Sequence, residues 1–555
     1  MAMSVFVGGE NFDELRNSGC YYVDKTELLY ELRHDSKNKV TLFTRPRRFG
    51  KTLTMRMMES FFDIRRDSRA VFDGLAIMKH DDFCAKWMNQ YPVLFITLKD
   101  AESLKFETAY AKLKGIIAEL CIKHAYLANS DKVDPADAIE FERLKFKTAS
   151  DDEIQRSLNT LSRMMAAHYS KPVILLIDEY DVPLAKANEE KEAGERYYDQ
   201  MLDVIRGIMS TALKSNDYLE FAVVTGCLRI TKESIFTGVN NFASYSVLDN
   251  DYSQYFGFTQ AEVDDLLLAA EREEMADVFK KWYDGYIFGR EAVYCPWDVI
   301  NYAAAILRDK NARPKNYWAN TSSNGIIRDF AGHDDFDVTD KFETLMNGGA
   351  IVQRISDELT YDSLHETEEN LWSVLLMTGY LTKADMREEG NTVSLRIPNA
   401  EIADVFETAI VRLFQERLDR SRQKELMDAF WSGDADTATR LVSDFLFDTI
   451  SFHDYHEDYY HAFLTGIFVG LGYGVKSNHE QGLGRTDITL TDKRNRRALV
   501  IEAKKTDSEG QMEKDCDDAL DQIVKKKYAE ALKGYRQIVC YGISFFQKSA
   551  LVKKL

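Results

Sequence analysis

The sequence contains little proline, little cysteine and no long apolar run. Only 8 prolines and 7 cysteines occur in 555 residues, and no two cysteines have CxxC spacing. We therefore expect neither a disulfide framework nor a zinc knuckle, and we expect the cysteines to be reduced thiols. The apolar runs are too short to span a bilayer, and the first ten residues lack the basic and then apolar pattern of a signal peptide. We expect a cytoplasmic protein without a membrane partner.

Positive charge is also scarce, because 71 Lys and Arg residues stand against 91 Asp and Glu residues, a net charge of −20. This balance excludes a protein coated in basic surface for gripping nucleic acid, but it does not exclude one basic cleft on an acidic body. The excess of acidic over basic residues is unevenly distributed along the chain, since residues 451–555 contain 17 basic and 15 acidic side chains. Any contact with nucleic acid is therefore expected in this C-terminal part and should be strongly salt-sensitive.

Short β-rich runs alternate with helical stretches over the first 250 residues. The runs are Val40–Thr44, Val93–Thr97, Val173–Ile177 and Phe221–Thr225. Continuous apolar strands separated by helices are typical of a parallel sheet covered on both faces. Near the C-terminus, strands at 486–490, 498–502 and 537–541 flank a further helix. The pattern predicts an α/β multidomain chain, and its length implies roughly three or four domains.

The segment after the first strand has the order of a phosphate-binding loop, since it leads from that strand into a predicted helix, Leu53–Phe62. Backbone N–H groups of such a loop and of the helix N-terminus hold phosphate oxygens. Lys51 would reach the β- and γ-phosphates of ATP, and the Thr52 hydroxyl would bind Mg²⁺. Arg45 stands where the first glycine of GxxxxGK[ST] belongs. The candidate ATP-binding residues of the loop are Arg47, Arg48, Phe49, Gly50, Lys51 and Thr52.

Two later strands end in polar residues that suit ATP hydrolysis. Asp178 would hold Mg²⁺ through water, and Glu179 would polarise the attacking water. The other interpretation of these two acids is a helix N-cap with an acidic first turn. The next apolar strand ends in Thr225, the candidate sensor of the γ-phosphate. Arg229 is either a phosphate or subunit contact or a surface arginine paired with an acid.

Two acids and a lysine lie on consecutive predicted strands near the C-terminus. Asp487 is in one strand, and Glu502 follows 15 residues later in the next, with Lys504 beyond it. Strand alternation places Glu502 and Lys504 on one face, and a hairpin would bring Asp487 to them. Asp487 and Glu502 would bind Mg²⁺, while Lys504 would orient or deprotonate water. The alternative is an edge-strand ion pair between Glu502 and Lys504.

Several motifs together resemble those of bacterial AAA-ATPase-like proteins with a C-terminal PD-(D/E)XK nuclease-like domain. The resemblance covers nearly the whole chain, and its carriers are Tyr22–Thr26, Arg45–Thr52, Ile177–Asp181, Trp282–Tyr286, Val293–Trp297 and Tyr317–Ser323. Arg45 in place of the glycine looks like the family's own pattern. The aromatic motifs carry no chemistry that we can derive, and core or lid packing is their favoured interpretation.

Changes of pattern along the chain predict four regions, and the resemblance gives the first and the last of them their class. They are an AAA/STAND-like P-loop domain with a parallel sheet over 1–250, a helical lid region over 251–330, a helical middle region with a winged-helix-like hint over 331–450, and the nuclease-like α/β domain over 451–555. In the last region, the order of the fold adds Glu457 and His461 before the two acidic strands, and Gln522, Lys526 and Tyr528 after them. His461 is equally well a surface histidine. Lys525–Lys527 either contact a nucleic-acid backbone or form a solvated face.

Three functions compete. The leading one is an ATP- and Mg²⁺-dependent nuclease, in which the ATP state controls access of nucleic acid, with DNA the expected substrate, to the C-terminal site. The second is a regulatory ATP switch whose nuclease-like domain binds nucleic acid or a partner without cleaving. The third is a protein-remodelling machine, which needs a ring and an arginine finger. Whether the chain forms a homo-oligomer stays open.

Overall fold

The computed structural model describes residues 3–34, 38–188, 197–214, 216–229, 235–236, 242–318, 338–346, 348–356, 359, 367–385, 392–406, 420–449, 460, 464, 468, 474–481, 484–506 and 508–555. The chain forms two compact units. Unit 1 consists of Met1–Asn320 and Val352–Glu401, and unit 2 consists of Thr321–Ile351 and Ile402–Leu555. The chain therefore passes between the units three times. The domain boundaries at 250, 330 and 450 stay predictions.

A five-stranded parallel sheet forms the centre of unit 1. Its strands are β1 Val40–Thr44, β2 Val93–Thr97, β3 Val173–Asp178, β4 Leu219–Gly226 and β5 Phe242–Tyr245. They lie in the order β2-β3-β4-β1-β5. The four strands predicted from apolar runs are all present. Strand β5 was not predicted, because its sequence, Phe-Ala-Ser-Tyr, is short and each of its residues is only half buried.

The central strands are apolar at every position because helices cover both faces of this sheet. Leu42, Leu175 and Val224 pack in the core on one face. Their chain neighbours, Phe43, Leu176 and Val223, pack in the core on the other face. The helices up to the end of β4 are α1 Phe12–Asn17, α2 Glu27–His34, α3 Lys51–Phe62, α4 Arg69–Phe72, α5 Asp81–Trp87, α6 Phe106–Lys123, α7 Pro135–Lys145, α8 Asp151–Tyr169, α9 Val182–Asn188 and α10 Tyr198–Leu213.

The remaining part of unit 1 is helical with two small sheets. Its helices begin with α11 Gln260–Ala269, α12 Ala276–Tyr283 and α13 Pro296–Arg308. Strands β6 Tyr286–Phe288 and β7 Glu291–Val293 form a hairpin. The second small sheet has the order β8-β10-β9, with β8 Ile351–Arg354, β9 Thr382–Lys383 and β10 Thr392–Arg396. A helix at Glu368–Thr378 precedes β9, and another at 400–406 follows β10 and continues past the end of unit 1 at Glu401. The winged-helix-like assignment stays a prediction.

Unit 2 contains a mixed five-stranded sheet in the order β11-β12-β13-β14-β15. The strands are β11 Gly474–Gln481, β12 Gly484–Asp492, β13 Arg497–Lys505, β14 Gln537–Phe546 and β15 Ser549–Lys554. Strands β13 and β14 are parallel, and the helix Met512–Lys525 connects them, while the other neighbours are antiparallel. Further helices are Thr339–Met346, Arg420–Ser432 and Ala435–Thr449. The α/β multidomain fold class is confirmed.

Unit 2 differs from expectation at two points, because β11 precedes the two acidic strands and β14 is not the last strand. The chain turns back into β15, Ser-Ala-Leu-Val-Lys-Lys, whose buried and exposed residues alternate. This strand forms the edge of the sheet beside β14. An edge strand with one wet face has no continuous apolar run, so its sequence gives only a weak signal. No helix in the described ranges is long and apolar enough to cross a membrane.

Candidate nucleotide site and candidate nuclease site

The predicted phosphate-binding loop connects β1 to α3, which begins at Lys51. Two residues of the loop have left-handed backbone, Arg48 with φ 74° and Gly50 with φ 79°. A Cβ on Gly50 would meet nothing within 4 Å, so glycine is needed there for its backbone and not for space. The left-handed positions thus fall at Arg48 and Gly50, which explains why the loop tolerates an arginine at position 45.

Arg45 is completely buried beneath the loop. Its Nη1 donates to the carbonyl oxygens of Thr44, at 2.9 Å, and Tyr245, at 2.8 Å. The guanidinium carbon lies 5.1 Å from the ring centre of Phe256 and 5.6 Å from that of Phe288. Burial lowers the pKa of Arg45 to about 9. Arg45 therefore fastens the loop to the end of β5 and occupies an aromatic environment.

Lys51 and Thr52 lie beside the acids that end β3. The Lys51 ammonium donates to the carbonyl oxygens of Arg45 and Pro46, both at 2.9 Å, and its side chain is buried. The Thr52 hydroxyl donates to Asp178 Oδ2 at 2.9 Å. The two groups predicted to hold Mg²⁺ thus already meet, and hydroxyl and carboxylate oxygens are the ligands that this cation prefers.

The strand order places Thr225 next to the same carboxylate. Strand β4 lies between β1 and β3, and the Thr225 hydroxyl at its end donates to Asp178 Oδ1 at 2.5 Å. The backbone N–H of Glu179 in turn donates to Thr225 Oγ1 at 3.4 Å. The structure therefore brings Lys51, Thr52, Asp178 and Thr225 together at the carboxyl ends of the central strands.

Glu179 follows Asp178 with a left-handed backbone, φ 53°. Burial raises the pKa of its carboxyl; Lys51 opposes that shift, while Asp178 and Asp181 add to it. A carboxyl whose pKa is raised toward neutrality suits a group that accepts a proton. Arg47 is exposed and acts electrostatically on Glu179.

The other two predicted loop residues point into aromatic surroundings. The Arg48 guanidinium lies 4.7 Å from the centre of the Trp297 ring, and it donates to the carbonyl oxygen of Tyr317. Phe49 is buried, with ring centres of Tyr286 at 5.0 Å and Phe288 at 4.9 Å. The aromatic motifs without derivable chemistry are therefore packed against the phosphate-binding loop.

Sequence reasoning missed a pair of buried carboxyls behind Arg48. Asp298 and Glu401 are almost fully buried and act directly on each other. Glu401 Oε1 accepts the backbone N–H groups of Tyr317 and, at 2.8 Å, Trp318. Burial, with the neighbouring Asp298, raises the pKa of Glu401 to about 9, and burial raises the pKa of Asp298 to about 6. The pair therefore holds a proton near neutral pH.

A second missed residue, Asp181, joins β3 to the loop after β4. Its Oδ2 accepts the backbone N–H groups of Cys227, at 2.9 Å, and Leu228, at 3.0 Å. The Tyr180 hydroxyl donates to the Leu228 carbonyl at 2.8 Å. The sequence signals for Asp181 were its position two residues after Glu179 and its place in the Ile177–Asp181 motif. Arg229 follows this loop, and its role stays a prediction.

In unit 2, the hairpin predicted for the nuclease residues is present. Strands β12 and β13 pair antiparallel, with Ile488 opposite Ile501, so that Asp487 and Glu502 continue the same register. Asp487 Oδ2 accepts the Ala503 N–H at 2.8 Å, and the Asp487 N–H donates to Glu502 Oε2 at 3.4 Å. Glu502 is buried and Lys504, two residues later on the same face, is half buried.

The Met512–Lys525 helix adds a third group to these carboxylates. Gln522 donates from Nε2 to Glu502 Oε1. The helix lies close to the sheet because position 542, next to Glu502 in the parallel pair of β13 and β14, is glycine. A Cβ on Gly542 would lie 2.4 Å from the Cys516 carbonyl oxygen. Tyr528 is buried nearby against Val500. Glu457 and His461 lie outside the described residues.

Each candidate metal site consists of two protein oxygen donors. Within the described ranges, no three His, Cys, Asp or Glu side chains come together as a ready cation site. Mg²⁺ is usually held by one or two carboxylates together with substrate phosphates and water. The donors Thr52 with Asp178, and Asp487 with Glu502, therefore fit Mg²⁺ bound together with a phosphate ligand.

Comparison with known proteins defines the class of the N-terminal region, which contains the phosphate-binding loop, and of the C-terminal region, which contains Asp487 and Glu502. Residues 6–236 match the family described as predicted AAA-ATPase, and residues 455–555 match the PD-(D/E)XK nuclease superfamily. The chain therefore carries an AAA-ATPase-like domain and a C-terminal domain of the PD-(D/E)XK nuclease superfamily, which confirms the resemblance of its motifs. A relative from Azotobacter chroococcum mcd 1, described as an uncharacterized protein in the vnfD 5'region, is 26% identical over 502 residues, covering 87% of this chain and 86% of the relative.

Proposed function

We propose that the protein binds and hydrolyses ATP in unit 1 and cleaves nucleic acid, with DNA as the substrate, in unit 2, and that the ATP state controls the cleavage. The observation that carries the cleavage proposal is the meeting of Asp487 and Glu502 on the β12–β13 hairpin, with Lys504 on the same strand face as Glu502, in a domain of a nuclease superfamily. The meeting of Lys51, Thr52, Asp178 and Thr225 supports the ATPase half.

In unit 1, Lys51 would exchange its two loop carbonyls for phosphate oxygens of ATP. Thr52 and Asp178 would hold Mg²⁺, which neutralises phosphate charge when bound. Glu179 would orient the attacking water and accept its proton, a role that the raised pKa of this carboxyl favours. Thr225 would report the presence of the γ-phosphate, because its hydroxyl already bonds Asp178.

In unit 2, Asp487 and Glu502 would hold Mg²⁺, which supplies a Lewis acid beside the scissile phosphate. Lys504 would orient the attacking water and stabilise the charge that develops on phosphate. Gln522 would fix the Glu502 carboxylate, because it donates to one of the two oxygens. These residues lie on the β12–β13 hairpin and the following helix, which are rigid elements of one sheet domain.

The test is cleavage of circular and linear DNA by the full-length protein with Mg²⁺. We expect Glu502→Gln and Lys504→Ala to lower the cleavage rate by about a hundredfold or more, since each removes a group that acts on the reacting phosphate. ATP hydrolysis by both variants should stay as in the wild type. Lys514→Ala, at an exposed position of the same unit, is the matched control.

Unchanged cleavage by both variants would reject the assignment of these residues.

The second candidate function, a switch that binds nucleic acid without cutting, is favoured by one observation. Both oxygens of Glu502 already accept protein N–H groups, so the domain is held together without a metal. DNA binding by the wild type with no cleavage under any combination of ATP, Mg²⁺ and Mn²⁺ would establish this second function.

A further inference from the structure

The turn between β12 and β13 is strongly basic in a protein of net charge −20. Its residues 493–496 are Lys493, Arg494, Asn495 and Arg496, and all four are exposed. Arg497, the first residue of β13, differs from them. It pairs with Asp492 at 2.9 Å and lies over the Trp431 ring at 4.3 Å.

A second segment adds a cation beside this turn. The backbone N–H of Arg536 donates to the Arg496 carbonyl at 2.6 Å, and Arg496 Nη2 donates to the Gly534 carbonyl at 3.2 Å. The Arg536 side chain is exposed next to the turn. We call the four side chains Lys493, Arg494, Arg496 and Arg536 the turn cluster.

The charges of the turn cluster are not neutralised by neighbouring acids. Among the described residues, no carboxylate forms an ion pair with any of the four side chains. The nearest acid in sequence, Asp492, is occupied by Arg497 and by Asn495. Four exposed cations on two adjoining segments form a surface that attracts a polyanion.

The turn cluster lies at a defined distance from the candidate nuclease residues. Arg496 precedes β13 and Glu502 lies near its far end, six residues later, so the two are about 20 Å apart at about 3.3 Å per residue. B-form DNA advances about 3.4 Å per base pair along its axis, so this distance corresponds to about six base pairs. The exposed Lys526 and Lys527 follow the helix whose Gln522 bonds Glu502.

We propose that the turn cluster binds the phosphate backbone of duplex DNA about six base pairs away from the phosphate held at Glu502 and Lys504. The choice of DNA as partner rests on the proposed function of unit 2. A duplex fits better than a single strand, because two contact points fixed on one rigid sheet match the fixed spacing of a stiff double helix. The cluster would set affinity and orientation without reading sequence.

The test measures binding of a 30-base-pair DNA duplex by fluorescence anisotropy, in EDTA, over a series of salt concentrations. The test variant is Lys493→Gln with Arg494→Gln, whose side chains make no contact on which the described fold depends. The matched control is Lys280→Gln with Lys281→Gln, which removes two exposed cations from unit 1. A charge-retaining variant, Lys493→Arg with Arg494→Lys, completes the set.

We expect the test variant to bind about tenfold more weakly at 0.1 M salt. The slope of log affinity against log salt should become shallower by about 1.8, the value for two lost phosphate contacts. The control and the charge-retaining variant should match the wild type. Equal slopes for the test variant and the wild type would overturn the proposal, as would an equal loss in the control. Tighter binding to single-stranded DNA, duplex RNA or phosphatidylserine vesicles than to the DNA duplex would also overturn it.

Failure of nuclease activity is a separate result. If the wild type cuts no DNA while the slope of log affinity against log salt still becomes shallower by about 1.8 in the test variant, DNA binding by the turn cluster is supported and the proposed cleavage is rejected.

Discussion

At the scale of single residues, Asp298 and Glu401 have a buried environment that their sequence neighbours do not suggest. They belong to segments more than a hundred positions apart, and the fold buries them together behind the phosphate-binding loop. Glu401 supports the backbone of Tyr317 and Trp318, and Arg48 bonds to the carbonyl of the same Tyr317. The protonation state of the pair should therefore affect how firmly the loop is held.

The first prediction concerns pH. The folded protein holds the Glu401 proton up to a pKa of about 9, whereas an unfolded glutamate loses it near 4.5. Through Glu401 alone, the folded state thus binds one proton more between these values, and Asp298 adds to the difference only below about pH 6. This contribution to stability is complete below pH 4.5 and is lost as the pH rises toward 9, by up to about 1.4 kcal/mol per pH unit. Calorimetry of the wild type from pH 5 to 9 should show this decline.

Glu401→Gln should remove that part of the decline, because an amide does not ionise and still offers an oxygen to the Trp318 N–H. The pH dependence of Tm should become flatter, and Glu119→Gln, at an exposed position of α6, should leave it unchanged. An identical pH dependence in the wild type and in Glu401→Gln would show that this proton is not linked to folding.

Sequence patterns indicated some of these residues and not others for a physical reason. Lys51 and Asp178 were found because phosphate chemistry demands a lysine at the start of the helix after the loop and an acid at the end of a strand, and both positions have local signatures. Glu401 has none, since its role depends on being buried against Asp298, and burial of a carboxyl is decided by tertiary packing. The meeting of Arg48 with Trp297 could not be predicted for the same reason.

At the scale of elements, the contact between the Met512–Lys525 helix and the sheet depends on Gly542. An added Cβ would lie 2.4 Å from a backbone oxygen of the helix and 3.1 Å from the Ala519 Cβ. We predict that Gly542→Ala pushes the helix away, costs about 1–3 kcal/mol of stability and lowers DNA cleavage, because Gln522 leaves Glu502. Thermal unfolding and cleavage assays measure both effects.

Gly534→Ala is the matched control for this substitution, because a Cβ there would meet nothing within 4 Å. It should leave stability and cleavage close to the wild-type values. If Gly542→Ala behaves like Gly534→Ala in both assays, the helix is not held at the distance that the structure gives it.

Elements buried on both faces were the ones that the sequence predicted best. Strand β1 begins and ends where the apolar run does, at Val40 and Thr44, and β2 agrees equally well. The helix after the loop begins at Lys51, two residues before its predicted start, because the loop glycine serves as its N-cap. Strands β5, β11 and β15 were not predicted from the sequence, since none of them has a continuous apolar run.

At the scale of the whole molecule, the two units are connected by the chain at three places, one of them directly after Glu401. We predict that ATP changes the rate of DNA cleavage by about fivefold or more, within the range of ordinary coupling free energies. Lys51→Ala should lose nucleotide binding and bring the ratio of rates with and without ATP to one. Lys79→Ala, at an exposed position, should keep both the binding and the ratio of the wild type.

Cleavage by the wild type that is the same with and without ATP would contradict this coupling. Normal ATP binding by Lys51→Ala would instead show that the loop has been misassigned. The two outcomes are distinct, because the first is measured on DNA and the second on nucleotide alone.

The hydrogen bonds within the pair of Asp487 and Glu502 have a consequence for how the nuclease domain is handled. Backbone and amide N–H groups hold both carboxylates in register. We therefore expect the domain to fold without a bound ion, unlike small domains built around a structural metal. Under the proposed function, the intact protein could be stripped of divalent ions and mixed with DNA, and cleavage would start when a chosen cation is added, which would make single-turnover measurements practical.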